Sequence, residues 1–246
     1  MLTNETISKL NDMRLGSMAK QFEEQMSNPR YAKMSFEDRF SILVDTEWTT
    51  RKNNHLKRLI KNADYSMPNA TVEDIEYLPE RKLDKNTVLR LASCTYIQEA
   101  HNIILLGATG AGKTYLACAL GIAANRNFYT SKYIRLPDLL VEIEMSRRNG
   151  TYREYMKKLK KVRLLIIDEW LLYSLKENES RDVLELVSAR ENHASTIFCS
   201  QFDVPGWHEN LFEAARADAV CDRLINSSYV IRIEGDSMRK HKGIIR

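Results

Sequence analysis

No segment of this 246-residue sequence approaches the run of about 18 apolar residues that a membrane-spanning helix needs. The first residues, MLTNETISKLNDM, mix charged and apolar side chains, so they lack the apolar core of a secretory signal. No low-complexity tract or internal repeat is present, which argues against a disordered chain or a solenoid. We therefore expect a globular, cytoplasmic protein with no membrane partner.

Cysteine is scarce, and its copies lie far apart with no C-x-x-C spacing. Two of them, Cys118 and Cys199, fall within apolar runs, where a small buried thiol is the usual explanation. The other two are Cys94 and Cys221, and the five histidines are similarly scattered. This pattern indicates neither a disulfide framework nor a zinc site.

Basic side chains are concentrated in two segments, although the net charge is only +4. The first segment contains Arg51, Lys52, Lys57, Arg58 and Lys61 with no acid between them. The second runs from 147 to 163 and has Glu154 as its single acid; its basic residues are Arg147, Arg148, Arg153, Lys157, Lys158, Lys160, Lys161 and Arg163. Such concentrations of one charge sign are a candidate surface for nucleic acid.

The periodicity of the chain changes near residue 100. Earlier residues have helical spacing and no convincing strands, whereas later ones alternate short apolar runs with amphipathic stretches. We predict an N-terminal helical domain over 1–66, a linker strap and short helix over 67–96, and an α/β domain over 97–246. Its predicted strands are 103–106, 133–135, 164–167, 196–200 and 229–233. Alternation with helices predicts a parallel sheet between two helical layers, with ligands at the carboxyl ends of the strands.

The N-terminal region contains one clear helix start. Ser35 and Asp38 have the spacing of an N-cap and its third helical residue. Apolar residues then recur at helical spacing, namely Phe36, Phe40, Leu43 and Val44. We expect this face to belong to a hydrophobic core.

Residues 107–114 read GATGAGKT, a complete G-x-x-x-x-G-K-[ST] loop between an apolar run and a helix-prone stretch. In such a loop the backbone N–H groups converge on phosphate oxygens at a helix N-terminus. Lys113 is expected to reach the β and γ phosphates, and the Thr114 hydroxyl to bind Mg²⁺. The predicted nucleotide-binding residues are Gly107, Ala108, Thr109, Gly110, Ala111, Gly112, Lys113 and Thr114, with ATP and Mg²⁺ as cofactors.

Two acids end the next apolar strand, LLIIDE over residues 164–169. Asp168 is placed to hold the metal together with Thr114, and Glu169 to activate water as a general base. The alternative is a strand that simply exits into solvent. An adjacent glutamate favours hydrolysis over transfer to a small acceptor, and no lid sequence typical of a small-molecule kinase follows.

Three polar residues complete the candidate site. Gln201 follows the apolar strand 196–200, where an amide could orient the lytic water; Ser200 is a second candidate, and capping the loop is the alternative role. Arg223 and Arg239 lie near the ends of the last helix and strand. A planar guanidinium suits phosphate, and one supplied by a neighbouring subunit can complete a hydrolytic site.

The second basic segment suggests a contact with DNA. If 152–163 is helical, Arg153, Lys157, Lys160 and Lys161 share one face, opposite a mostly apolar one. Such a face could follow phosphates without reading sequence, and its affinity would depend on salt. A solvated helix face is the alternative, but it would normally mix charge signs. A weaker second DNA surface consists of Lys57, Arg58 and Lys61.

Taken together, these motifs resemble the AAA+ ATPases of the IstB/DnaC branch, which comprises transposition helpers of insertion sequences and bacterial helicase loaders. The resemblance extends over nearly the whole chain. Besides GATGAGKT and LLIIDE, it includes Met18-Ala19, Glu23-Glu24-Gln25, Ser35 to Arg39, Asp45 to Trp48, Ser195 to Ile197, Ser200-Gln201, Trp207 to Glu209, Asp222 to Leu224 and Gly235 to Arg239.

The resemblance implies roles for three of these residues. Arg223 looks like an arginine finger acting in trans, Arg239 like a sensor arginine acting on its own subunit's nucleotide, and Gln201 like the first sensor. A finger in trans implies head-to-tail homo-oligomers, as a ring or spiral. Helicase loaders usually have Asn where Gln201 stands, which favours the transposition branch. Many relatives have Gly at the position of Leu171.

These observations predict an ATP-dependent regulator of DNA transposition. It would assemble on double-stranded DNA without sequence preference, recruit a cognate transposase and disassemble upon hydrolysis. A replicative helicase loader of the DnaC type is the alternative, although the chain shows no aromatic platform for single strands. A nucleotide-switched scaffold without turnover is a third reading, against which the intact Lys113, Asp168 and Glu169 argue.

Overall fold

The computed structural model describes residues 2–235 and residue 238. Its helices are α1 (Leu2–Asp12), α2 (Gly16–Ser27), α3 (Phe36–Ala63), α4 (Lys85–Ala92), α5 (Thr95–Gln98), α6 (Lys113–Arg126), α7 (Leu136–Arg148), α8 (Tyr152–Lys161), α9 (Glu177–Arg190), α10 (Val204–Asn210) and α11 (Ala214–Ile225). Its strands are β1 (Asn102–Gly107), β2 (Ser131–Arg135), β3 (Leu164–Asp168), β4 (Ser195–Ser200) and β5 (Ser228–Ile233). Short 3-10 turns lie at Pro29–Lys33 and Pro79–Arg81.

All five strands pair in parallel, in the order β2-β3-β4-β1-β5. The predicted parallel sheet is thus confirmed, and the predicted strands agree with the observed ones to within one or two residues. The order places β4 between β1 and β3, although β4 follows both in the chain. The residues that end these three strands therefore lie side by side at one edge of the sheet.

The described residues form two compact units that meet between residues 58 and 59, inside α3. In the second unit, the segment that sequence analysis separated as a linker contributes directly to the core. Ala70, Val72 and Ile75 are buried in the same cluster as Ile103 on β1 and Leu116 on α6. A second apolar cluster includes Leu106, Ile167 and Phe198. No helix in the described part of the chain is long and apolar enough to cross a bilayer.

The first unit has the predicted start of α3. The Asp38 N–H donates to the Ser35 hydroxyl at 3.1 Å, as an N-cap requires. Farther along α3, the Glu47 carboxylate accepts the N–H groups of Ser17 and Met18 at 3.0 Å each. It therefore satisfies donors in the first turn of α2 that no helical carbonyl can reach, and an anion there is favoured by the helix dipole.

The prediction that the apolar face of α3 is core is wrong. Phe36, Phe40 and Val44 are 76%, 53% and 40% exposed, and Leu43 is only half-buried. Trp48 continues the exposed band at the same four-residue spacing. Helical spacing shows which side chains share a face, but it does not show which face packs; between residues 36 and 50 the buried position is that of Glu47.

Several helices were missed or misplaced by periodicity. The single short helix predicted within 67–96 is two helices, because Cys94 adopts a left-handed backbone (φ 66°) between α4 and α5. The short α10 was not predicted, and its one buried side chain, Trp207, donates to the Ser200 hydroxyl at 2.8 Å.

Arg190 joins three elements of the second unit and is 3% exposed. Its Nη1 donates to the Leu159 and Val162 carbonyls at the end of α8, at 2.6 and 2.9 Å. Its Nη2 and Nε donate to the Ser195 carbonyl and the Thr196 hydroxyl of β4, at 2.6 and 2.9 Å. Burial lowers the pKa of this guanidinium to about 9, so it remains charged at neutral pH.

We expect Arg190→Met to lower the free energy of unfolding by about 3 kcal/mol, because it leaves several buried acceptors without a donor. Equilibrium urea unfolding measures the difference, and Arg181→Met is the control because it changes an exposed arginine on the same helix. A loss below about 1 kcal/mol would show that water replaces these bonds and that Arg190 is dispensable.

Candidate nucleotide site

The loop between β1 and α6 has the backbone geometry of a phosphate-binding loop. Gly107 has φ 157°, and a Cβ there would lie 2.4 Å from the Ile233 carbonyl oxygen. Gly112 has φ 93°, and a Cβ there would lie 2.8 Å from Nη2 of Arg81. Both positions therefore require glycine, and the loop leads directly into the N-terminus of α6, where backbone N–H groups can bind an anion.

Lys113 is the first residue of α6 and is 9% exposed. Its ammonium donates to the carbonyls of Gly107 and Ala108 at 2.6 and 2.9 Å, so it lies within the loop. Burial lowers the pKa of Lys113, and the nearby negative charge of Asp168 opposes this only in part. Phosphate would provide a direct anionic partner for this buried ammonium.

Thr114 and Asp168 come together although 54 residues separate them in the chain. The Thr114 hydroxyl donates to Oδ2 of Asp168 at 2.7 Å, and Asp168 is 6% exposed. A hydroxyl and a carboxylate are the hard oxygen ligands that Mg²⁺ prefers beside substrate phosphates. These two residues therefore fit the magnesium ion that a nucleoside triphosphate brings with it.

Glu169 lies next to this pair but is bound to an arginine. Nη2 of Arg135, the last residue of β2, lies 2.8 Å from Oε2 of Glu169. The backbone of Glu169 is left-handed (φ 55°), which turns its side chain away from the line of β3. Glu169 thus lies beside Asp168, and its ion pair with Arg135 occupies Oε2 and leaves Oε1 available as an acceptor.

Gln201 follows β4 and contacts the phosphate loop. The Thr109 hydroxyl donates to its Oε1 at 2.8 Å, which leaves the Nε2 donor of the amide available for a ligand. Ser200, the second candidate, is instead buried, donates to the Trp170 carbonyl and accepts from Trp207. The geometry therefore favours Gln201 over Ser200 as the group that senses nucleotide.

A cavity of about 230 Å³ adjoins the phosphate loop on the side of the strap. Its apolar lining includes Met67 and Ile75 from the strap and Tyr115 and Leu116 from α6. Apolar walls beside a phosphate site suit the flat base of a nucleotide. Sequence analysis did not identify this wall, because Pro68 and Pro79 indicate only an irregular segment.

Arg81 connects the strap to the phosphate loop and is 5% exposed. Its Nη2 donates to the Ala111 carbonyl at 2.9 Å, and its Nη1 donates to the Glu76 carbonyl. Burial lowers the pKa of Arg81, since only carbonyl groups accept from it here. The sequence does not predict this contact between Arg81 and the phosphate loop, because no local pattern around Pro79 and Glu80 indicates it.

Two arginines near the end of the chain, Arg223 and Arg239, were predicted to complete the site. Arg223 lies 3.2 Å from Glu191 and, with Asn102 and Arg190, lines a small cavity near the start of β1. Strand β1 is about 16 Å long at about 3.3 Å per residue, so Arg223 is remote from the phosphate loop of its own subunit. Arg239 lies outside the described residues.

The basic residues of α8 are divided between two environments. Arg153, Lys157 and Lys161 are exposed, and because they are spaced by four residues they share one face. Lys160 lies 3.4 Å from Glu185 of α9, while Met156 and Leu159 are buried. Lys57, Arg58 and Lys61 are exposed near the end of α3. The structure thus separates a three-residue basic face from Lys160.

The comparisons with known proteins agree with this site, in which a phosphate loop, the Thr114–Asp168 pair and Glu169 lie beside a polar residue that follows β4. The family model described as IstB-like ATP binding protein matches residues 8–244. The chain belongs to this family. Its fold is that of the AAA+ proteins, with a helical N-terminal region.

Two relatives extend over most of the chain, and both are named as ATP-binding proteins of insertion sequences. One, of IS1162 from Pseudomonas fluorescens, is 39% identical over 82% of this chain and 87% of its own length. The other, y4pL from Sinorhizobium fredii, is 35% identical over 98% of each chain. The solved DnaC helicase loader is 16% identical with a TM-score of 0.58, covering 68% of this chain and 97% of its own, which shows a shared fold.

Leu171 stands where the family resemblance predicted glycine in many relatives. Its backbone is left-handed (φ 49°), yet its side chain is fully buried in the second apolar cluster. A left-handed backbone costs a non-glycine residue about 1–2 kcal/mol, and burying a leucine contributes about as much or more. The packed side chain therefore offsets the strain.

Proposed function

We propose that this protein is an ATP-hydrolysing regulator of DNA transposition. It assembles on double-stranded DNA when ATP is bound, recruits and stimulates a partner transposase, and disassembles when ATP is hydrolysed. The observation that carries the proposal is the meeting of Lys113, Thr114, Asp168, Glu169 and Gln201 at one edge of the sheet. The names of the insertion-sequence relatives support its setting in transposition.

The arrangement supports hydrolysis rather than nucleotide binding alone. Lys113 and the loop N–H groups would hold the phosphates, and the Nε2 donor of Gln201 would face the terminal phosphate. Mg²⁺, held by Thr114 and Asp168, would supply positive charge to the phosphate oxygens. The Glu169 carboxylate would act as the base that activates water, through the oxygen that Arg135 does not contact. A scaffold without turnover would not need this carboxylate.

The exposed face of Arg153, Lys157 and Lys161 supports a contact with DNA phosphates. None of the three lies within 4 Å of a carboxylate in residues 2–235, so their charge is available to a ligand. A single set of three contacts is weak, and repetition along an oligomer would make binding strong and cooperative. A second contact with DNA would come from Lys57, Arg58 and Lys61. Lys160 would strengthen the contact made by α8 if it left Glu185.

We expect the triple variant Arg153→Ala, Lys157→Ala, Lys161→Ala to bind duplex DNA more weakly than wild-type protein. The slope of log binding constant against log salt concentration should become less steep by about 2.7, if each residue neutralises one phosphate. Fluorescence anisotropy with random duplexes, at two or more salt concentrations and with ATP present, measures both quantities. ATP turnover without DNA should remain unchanged, because these residues lie on α8, away from the nucleotide loop.

The matched control replaces Lys9, Arg126 and Arg181 with alanine, since each of these exposed cations pairs with a carboxylate. Both triple variants change the net charge from +4 to +1, because 4 − 3 = 1. Equal losses in the two variants would mean that binding reflects overall charge, and the α8 surface would be rejected.

The same assay tests the proposed function against its main rival. Wild-type protein should bind duplex cooperatively with ATP, and weakly with ADP or without nucleotide. A preference for single strands under all nucleotide conditions would instead favour a helicase loader. Absence of any DNA binding would favour the nucleotide-switched scaffold.

A further inference from the structure

Tyr133 is not one of the candidate nucleotide-site residues, yet its hydroxyl contacts the carboxylate of Asp168. It lies on β2, where it pairs in register with Ile166 of β3, and it is 8% exposed. Its hydroxyl donates to Oδ2 of Asp168 at 2.9 Å. A tyrosine hydroxyl carries one O–H donor, and in this structure that donor is directed at the carboxylate.

The Asp168 carboxylate is held by neutral donors on both oxygens. Oδ1 accepts the N–H of Glu169 at 2.8 Å, and Oδ2 accepts the hydroxyls of both Thr114 and Tyr133. Thr114 is itself a candidate metal ligand, so it belongs to the cation site rather than to the groups around that site. The Glu169 N–H belongs to the same chain segment and cannot fix the side chain alone. Tyr133 is therefore the one of these three donors that approaches Asp168 from a neighbouring strand.

We propose that Tyr133 is a positioning residue for Asp168: its hydroxyl fixes the carboxylate in the orientation that binds Mg²⁺ with the nucleotide. The inference rests on the proposed function, because it assumes that a magnesium nucleotide binds at this site. Hydrogen bonds to charged groups are stronger than neutral ones. Loss of this bond should therefore weaken Mg²⁺ binding about tenfold and leave the phosphate loop intact.

The test is Tyr133→Phe, which removes one oxygen atom and keeps the ring. The thermal unfolding midpoint is followed as Mg²⁺ is titrated into protein saturated with a non-hydrolysable ATP analogue, because a ligand that binds the folded state raises this midpoint. Binding of the analogue is measured separately in EDTA. We expect the half-maximal Mg²⁺ concentration to rise about tenfold, with binding in EDTA changed by less than about twofold.

Tyr65→Phe is the matched control. Tyr65 is 7% exposed, and its hydroxyl bonds to Asn125 and Ser131 at 2.8 and 2.6 Å, away from the carboxylate. This variant should lose stability but keep the wild-type dependence on Mg²⁺. An equal shift in Tyr65→Phe would show a general effect of packing and would overturn the role of Tyr133, as would an unshifted curve for Tyr133→Phe.

Two further results separate the possible failures. If Tyr133→Phe is unfolded in EDTA, the Mg²⁺ titration is repeated on this variant and on wild-type protein in a stabilising osmolyte. The same tenfold shift is expected there, and coincident curves would overturn the proposal. If wild-type protein binds nucleotide without regard to Mg²⁺, the proposed function fails first, and the role of Tyr133 fails with it.

Discussion

Arg223→Ala is expected to lower ATP turnover by about 10³-fold or more, the loss associated with an arginine finger. In the structure Arg223 lies near Asn102, at the start of β1, whereas the phosphate loop follows the end of that strand. Its own nucleotide is therefore out of reach, and only the nucleotide of a neighbouring subunit could meet this guanidinium. The measurement is steady-state ATP hydrolysis in the presence of duplex DNA.

A mixing experiment distinguishes a finger in trans from a structural arginine. Lys113→Ala should abolish nucleotide binding in its own subunit but keep Arg223 intact. Mixed oligomers of Lys113→Ala and Arg223→Ala should then recover part of the activity that both lack alone, since one subunit supplies the finger and the other the nucleotide site. Failure to recover any activity would argue against a head-to-tail assembly.

The ion pair of Arg223 with Glu191 requires its own control. Glu191→Gln removes the carboxylate and leaves the guanidinium in place. If Arg223 acts on the neighbour's nucleotide, Glu191→Gln should keep most of the turnover. Equal losses in the two variants would mean that the ion pair supports the fold of α11 and that the finger lies elsewhere.

Glu169→Gln should lower the rate of ATP hydrolysis by about 10²–10⁴-fold while nucleotide binding persists. Glutamine has the same shape but cannot accept a proton from water, and the phosphate loop, Thr114 and Asp168 are untouched. Single-turnover hydrolysis and equilibrium binding of ATP measure the two properties separately. If hydrolysis drives disassembly, the complex with duplex DNA should also persist much longer with ATP.

Glu37→Gln is a control for the loss of one exposed carboxylate, because Glu37 lies in the first turn of α3 and outside the nucleotide site. It should hydrolyse ATP at the wild-type rate. Near-normal hydrolysis by Glu169→Gln would show that another group activates water, and the ion pair of Glu169 with Arg135 would then be its principal role.

Local sequence patterns predicted the loop geometry and the strand ends of the candidate nucleotide site. The glycine spacing of 107–114 predicts the backbone geometry of the loop, and the structure has positive φ angles at Gly107, Gly110 and Gly112. The apolar run 164–167 followed by two acids likewise predicted a buried strand and what lies at its end. Such patterns succeed because each depends on contacts within a few residues.

The same patterns failed wherever a distant partner decides the outcome. The spacing of Phe36, Phe40 and Val44 predicted a shared face correctly, but the structure leaves that face exposed. Arg81, Tyr133 and Arg135 carry no recognisable motif, since each acts through a bond to a residue at least 30 positions away. A polar residue near the end of a strand was the only available signal for Tyr133 and Arg135.

The sequence by itself determined that this protein has a phosphate-binding loop, a parallel α/β architecture and an acidic pair at a strand end, because local periodicity and glycine geometry specify them. Only the tertiary structure decided that β4 lies between β1 and β3, which brings Gln201 to Thr109. It also decided that Arg135 holds Glu169 and that Tyr133 holds Asp168. Strand order and register arise from packing between distant segments, and no local pattern records them.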